Sequence, residues 1–90
     1  MPRHERRFLI VNTLGLHARA AAQLVQTANR FRSEIHVEKD GMQVNGKSIM
    51  GVLTLAAAKG STITVSADGD DAELAMGALG KVIENGFGET

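Results

Sequence analysis

Apolar residues recur along the chain with two periods. Ala21, Leu24, Val25, Ala28 and Phe31 follow one another at spacings of three and four, with Gln23, Gln26, Thr27 and Arg30 between them; this predicts an amphipathic helix over about residues 18–30. Before it, residues 6–11 read as a strand with Phe8 and Ile10 inward. Residues 34–38 alternate polar and apolar, the mark of a strand with one wet face, and Asp40-Gly41 signals a hairpin into a partner strand carrying Met42 and Val44. Ser48 is suited to cap a short second helix to about residue 57, with Val52 and Leu55 as its core residues and Lys59-Gly60 ending it. Alternation returns over 61–67 with Ile63, Val65 and Ala67 on one face. Asp68, Asp70 and Asp71 then precede a third helix with an apolar stripe of Ala72, Ala75, Met76, Leu79, Val82 and Ile83. Gly77 and Gly80 each weaken that helix by up to about 1 kcal/mol, so its C-terminal part is expected to fray.

The order β-α-β-β-α-β-α, with strands polar on one side, predicts an α+β fold. Its expected form is an open-faced β-sandwich: a four-stranded, mainly antiparallel sheet with three helices on one side. No repeat, linker or low-complexity segment interrupts it, and residues 1–90 are expected to form one domain. A chain of 90 residues buries only about 60–65% of its unfolded surface, which leaves little room for a deep catalytic cleft. A protein that lends a reactive side chain to the pockets of others is expected rather than a conventional enzyme.

Charge and composition narrow the function classes. Ten basic and ten acidic residues cancel, so no global field attracts nucleic acid or an anionic membrane. The basic start, Arg3, His4, Arg6 and Arg7, lacks interleaved aromatics and is expected to be a solvated chain end leading into the first strand. There is no cysteine, which excludes disulfides and thiolate chemistry. No apolar run approaches the roughly 20 residues needed to span a bilayer, and the start lacks a signal-peptide core, so a cytoplasmic location is expected. His4 and His36 have no partners at metal-ligand spacing and are expected to face solvent. Neither metal nor cofactor is expected.

Candidate chemistry gathers at Gly15-Leu16-His17-Ala18-Arg19. The first N–H groups of a helix lack internal partners, and its dipole places partial positive charge at that end, which favours an anion. His17 sits at this end, Gly15 lets the backbone turn into it, and Arg19 supplies a permanent cation able to grip phosphate oxygens. Imidazole is nucleophilic near neutral pH and leaves phosphorus readily once its other nitrogen is protonated. A lone histidine at a helix start is commonly a surface residue, so this spacing alone does not carry the reading.

The run Asn12-Thr13-Leu14-Gly15-Leu16-His17-Ala18-Arg19-Ala20-Ala21 resembles the active-site signature of the HPr family, the histidine-containing phosphocarriers of the phosphoenolpyruvate-dependent phosphotransferase system. Val44-Asn45-Gly46-Lys47-Ser48-Ile49-Met50-Gly51-Val52-Leu53 resembles that family's second signature, in which a serine opens a short helix and is phosphorylated by a dedicated kinase. The resemblance implies the same open-faced sandwich. It further implies that His17 accepts phosphoryl from phosphorylated Enzyme I and passes it to Enzyme IIA-type proteins. Arg19 and the amides of Ala18, Arg19 and Ala20 would hold the phosphate. It implies Ser48 as a regulatory phosphosite for an HPr kinase/phosphorylase, and a docking face of Leu14, Leu16, Arg19, Ile49, Met50 and Leu53. Two departures stand out: Ala20 occupies the family's usual proline position, and Gln26 and Asn29 stand where many relatives are basic. A monomer is expected, serving sugar uptake or a nitrogen-type regulatory relay. A different class of function, a regulatory binding module acting through phospho-Ser48, also accommodates the second signature.

One motif points elsewhere. Gly41-Met42-Gln43-Val44-Asn45-Gly46-Lys47-Ser48 fits G-x-x-x-x-G-K-S, the phosphate-binding loop of nucleotide triphosphatases. The hairpin at Asp40-Gly41 is expected to commit these amides to a ladder, and the roughly 30 residues after the second helix, with one strand, are expected to offer too little to position nucleotide and magnesium.

Overall fold

A computed structural model describes residues 3–89. Its elements are β1 (Arg3–Leu9), α1 (Ala18–Ala28), β2 (Glu34–Lys39), β3 (Met42–Asn45), α2 (Ile49–Thr54), β4 (Thr62–Asp68) and α3 (Ala72–Glu84), followed by a single 3-10 turn at Gly86–Gly88. The strands form one sheet in the order β1-β4-β2-β3, antiparallel at every pairing. Helices α1 and α3 pack against each other, α3 lies across β1 and β4, and α2 sits beside α1 and β3. The result is the open-faced sandwich expected from the pattern.

Register explains the inner face. Phe8 stands opposite Ile63, Val37 lies between Val44 and Val65, and Ile35 pairs with Ala67. All but the half-buried Val44 are buried, and together with Ala21, Leu24, Val25, Val52, Leu55, Leu79 and Ile83 they belong to one continuous apolar cluster. Asp40 and Gly41 carry φ of 52° and 84°, the left-handed pair that a two-residue hairpin turn demands.

Several boundaries differ from the sequence pattern, each for a tertiary reason. The basic start is strand rather than tail: β1 begins at Arg3 and pairs with β4 along its whole length. The Arg6 guanidinium lies 4.7 Å from the Phe8 ring centre and 3.6 Å from Glu84. Thr27, expected on the wet face of α1, is buried, and its hydroxyl donates to the Gln23 carbonyl at 2.9 Å. Helix α1 stops at Ala28 because the chain then turns toward α3, where the Arg32 and Ser33 N–H groups donate to Asp71 at 2.8 and 3.0 Å. Helix α2 ends at Thr54 instead of near residue 57, since the Ala57 carbonyl is taken by the Leu16 N–H at 2.8 Å and Ala56 turns left-handed to present it. Helix α3 continues unbroken to Glu84, and Gly80 has a packing role: a Cβ there would lie 3.2 Å from Phe8.

Candidate functional site

The loop from β1 to α1 is built before the helix begins. Asn12 donates from Nδ2 to the Gly15 carbonyl at 2.8 Å, and the Gly15 N–H returns a bond to the Asn12 carbonyl at 3.2 Å. Gly15 has φ of +66° and lies against the Ala57–Ala58 backbone so closely that a Cβ would overlap it. This permits Leu16 to turn inward as a core residue and leaves His17, at φ −72° and ψ 178°, as the N-cap of α1.

At that cap His17 Nδ1 accepts the Arg19 backbone N–H at 3.2 Å. Nδ1 is therefore the unprotonated ring nitrogen facing the cationic end of the helix. The ring is 28% exposed. Ala18 and Arg19 are exposed and Ala20 is fully buried. The Arg19 guanidinium has no ion-pair partner among the described residues. A cavity of about 360 Å³ opens between His17, Arg19 and Gln23 on one side and the chain end, Phe87 to Glu89, on the other.

Glu89 is the member of this site that sequence reasoning missed. Gly86, Phe87 and Gly88 have φ of 63°, 57° and 72°, a left-handed run that folds the end of the chain back on itself. Phe87 is buried in the core, which fixes the reversal. Glu89 Oε1 then accepts the Leu14 N–H at 3.1 Å, while Oε2 lies 3.4 Å from His17 Nε2. Burial pushes the Glu89 carboxyl up, but the Leu14 N–H bond, with the Thr13 amide, Asn12 and His17 close by, outweighs it and holds the group below the usual carboxylate range. An aromatic bracketed by glycines just past a helix was the available signal.

The other expected residues divide by position. Ser48 caps α2, its Oγ accepting the Gly51 N–H at 3.1 Å. Leu14 is 65% exposed, Met50 73% and Ile49 41%, whereas Leu53 is half-buried against the core. Leu16 does not belong to an exposed face: it is only 4% exposed, because the Gly15 turn directs it into the core. The G-x-x-x-x-G-K-S stretch forms no phosphate cradle. Its residues 42–45 are β3, the Gly46 N–H donates to Ile35, the Lys47 N–H to Asn45 Oδ1, and Lys47 Nζ to the Phe31 carbonyl at 2.7 Å. His4 is exposed on β1 and His36 is half-buried on β2. Among the described residues no three His, Cys, Asp or Glu side chains converge, and no helix is long and apolar enough to cross a membrane.

Comparison with known proteins places this geometry. The family model described as "PTS HPr component phosphorylation site" matches residues 4–85. The chain belongs to the HPr phosphocarrier family. It is 54% identical over 80 residues to the phosphocarrier protein HPr of Cupriavidus necator, covering 89% of this chain and 90% of that one. The HPr-like protein Crh of Halalkalibacterium halodurans is 59% identical over 70 residues, covering 78% and 83%. A crystal structure of HPr from Thermoanaerobacter tengcongensis superposes with a TM-score of 0.93 at 50% identity, covering 97% of this chain and 98% of that one. The HPr family match stops at residue 85, short of Glu89.

Proposed function

We propose that this HPr-family protein carries phosphoryl groups on His17. The carrying observation is the orientation of the ring: Nδ1 faces the N-terminus of α1, its lone pair accepting the Arg19 N–H, on the rim of an open cavity. In the accepting step the Nδ1 lone pair attacks the phosphorus of a phosphohistidine on Enzyme I. The donor N–P bond breaks and its electron pair returns to the donor ring. The His17 ring keeps its proton on Nε2 and becomes a cation. Donation to an Enzyme IIA-type histidine reverses these changes. Little covalent work falls to the protein, so catalysis is positioning and charge stabilisation. The amides of Ala18, Arg19 and Ala20 at the helix start, with the Arg19 guanidinium, are the proposed phosphate holders. Leu14, Ile49 and Met50, with the rim of Leu53, form the proposed docking face; an adaptable methionine suits a surface that must fit several partners.

Ser48 is the proposed control point, phosphorylated by an HPr kinase/phosphorylase. Phosphate there adds nearly two negative charges beside the exposed Ile49 and Met50, which weakens encounter with an acidic partner. The protein is proposed to act as a monomer in the cytoplasm, in sugar uptake or a nitrogen-type relay. Likeness to Crh, the Bacillus subtilis catabolite repression HPr (41% identity, TM-score 0.66), favours a second reading as a regulatory module, which we propose would work through phospho-Ser48.

Incubation with phosphoenolpyruvate and Enzyme I tests the carrier reading. An acid-labile phosphate on wild type that is absent from His17→Ala supports it; an unlabelled wild type removes it. For Ser48, equal phosphotransfer rates for wild type and Ser48→Asp would remove the regulatory role.

A further inference from the structure

We propose that Glu89 is a positioning residue for phosphotransfer: its carboxylate holds the His17 Nε2 proton and so keeps the lone pair on Nδ1, where the helix end can use it. The proposal rests on the carrier reading above, and extends it to a residue outside the matched family segment.

Neutral imidazole carries one proton and two nitrogens, so which nitrogen attacks depends on what each faces. Nδ1 faces a donor, the Arg19 N–H at 3.2 Å, and Nε2 faces an acceptor, Glu89 Oε2 at 3.4 Å. Both contacts select the same tautomer. Oε2 is buried and takes no hydrogen bond of the quality that Oε1 takes from Leu14; His17 Nε2, 3.4 Å away, is the ring nitrogen that faces it, so the ring proton is its available donor. The carboxylate cannot drift away, because Oε1 accepts the Leu14 N–H at 3.1 Å and the buried Phe87 anchors the backbone two residues earlier. When phosphoryl joins Nδ1 the ring becomes a cation, and a fixed carboxylate on its far side stabilises that charge. The phosphate itself sits on the opposite side, toward Arg19, so Glu89 assists the ring without competing for the anion.

Two substitutions separate this role from a structural one. In Glu89→Gln the amide oxygen can still accept the Leu14 N–H, but its NH₂ then faces Nε2 and presents a donor to a donor. The ring is driven toward the tautomer protonated on Nδ1. Glu89→Ala removes the partner without imposing the wrong one, leaving the Arg19 N–H to select the tautomer. A positioning role therefore predicts that Gln is worse than Ala, whereas a packing or tail-anchoring role predicts the reverse.

The experiment is long-range ¹H–¹⁵N NMR of the neutral ring, together with steady-state transfer from phosphorylated Enzyme I. Wild type is expected to show Nε2 protonated and Nδ1 bare. Glu89→Gln is expected to lose that uniform tautomer and about tenfold in kcat, with KM for the protein within about twofold, and Glu89→Ala is expected to lose about threefold. A tautomer unchanged in Glu89→Gln, or Ala slower than Gln, overturns the proposal. Should wild type accept no phosphoryl from Enzyme I, the carrier reading falls, while the ring spectra still decide whether Glu89 holds the Nε2 proton.

Discussion

Two glycines three residues apart in α3 give opposite answers to the same substitution. Gly77 is exposed and a Cβ there would meet nothing within 4 Å. Gly77→Ala therefore gains helix propensity without a packing cost, about 0.5–1 kcal/mol. In a domain of this size that raises Tm by roughly 4–8 °C per kcal/mol. Gly80 is buried, and a Cβ there would stand 3.2 Å from Phe8 Cε1 and 3.4 Å from Arg6 Nη1. Arg6 can swing into solvent, but Phe8 is a core residue paired opposite Ile63 and has nowhere to retreat. Overpacking of about 1–3 kcal/mol offsets a propensity gain of about 1 kcal/mol, so Gly80→Ala is neutral to about 2 kcal/mol destabilising. Urea denaturation monitored by circular dichroism, with thermal melts alongside, measures both. Equal stabilisation by the two substitutions would refute the claim that α3 needs a bare backbone against Phe8.

Three further outcomes follow from the same structure. Gly15→Ala must carry a side chain at φ +66° and push a Cβ to within 2.9 Å of Ala58 Cα; a loss of at least about 2 kcal/mol is expected in urea midpoints, with the Leu16 N–H to Ala57 bond weakened in hydrogen exchange. Asp71 is held below the usual carboxylate range by the Ser33 hydroxyl and the Arg32 amide, against the opposing effect of burial, with the Ser33 amide adding to the lowering. Because its folded value is depressed, its stabilisation is present at neutral pH and is lost as pH falls below about 4. Wild type should thus lose more stability than Asp71→Asn between about pH 5 and pH 2, and parallel pH profiles would count against the clamp. Met50 is 73% exposed, so Met50→Glu should change stability by less than about 0.5 kcal/mol yet slow transfer from Enzyme I through a raised KM; an unchanged rate excludes Met50 as a contact.

Periodicity and turn chemistry are local signals, and they account for what was legible. The alternation of 34–38, the Asp40-Gly41 turn, the stripe from Ala72 to Ile83 and the two HPr-like runs each depend on neighbours within about one turn or strand, and each appears where expected. The same pattern determined that one sheet face and one side of each long helix are apolar, which leaves few ways to stack them. It also placed His17 at a helix start, the condition its proposed chemistry needs.

Tertiary structure decided what depends on partners far along the chain. Leu16 looks like a surface residue of a motif until Gly15 closes onto Ala57 and turns it inward. Helix α2 is shortened by an acceptor it must present to Leu16, and Gly80 is required by the Phe8 ring rather than tolerated. Glu89 enters the site through a hydrogen bond to a residue 75 positions earlier, and no periodic pattern encodes such a separation. The reason is physical: secondary structure is selected by nearest neighbours, whereas Glu89 stands 3.4 Å from His17 Nε2 only because the folded chain brings it there.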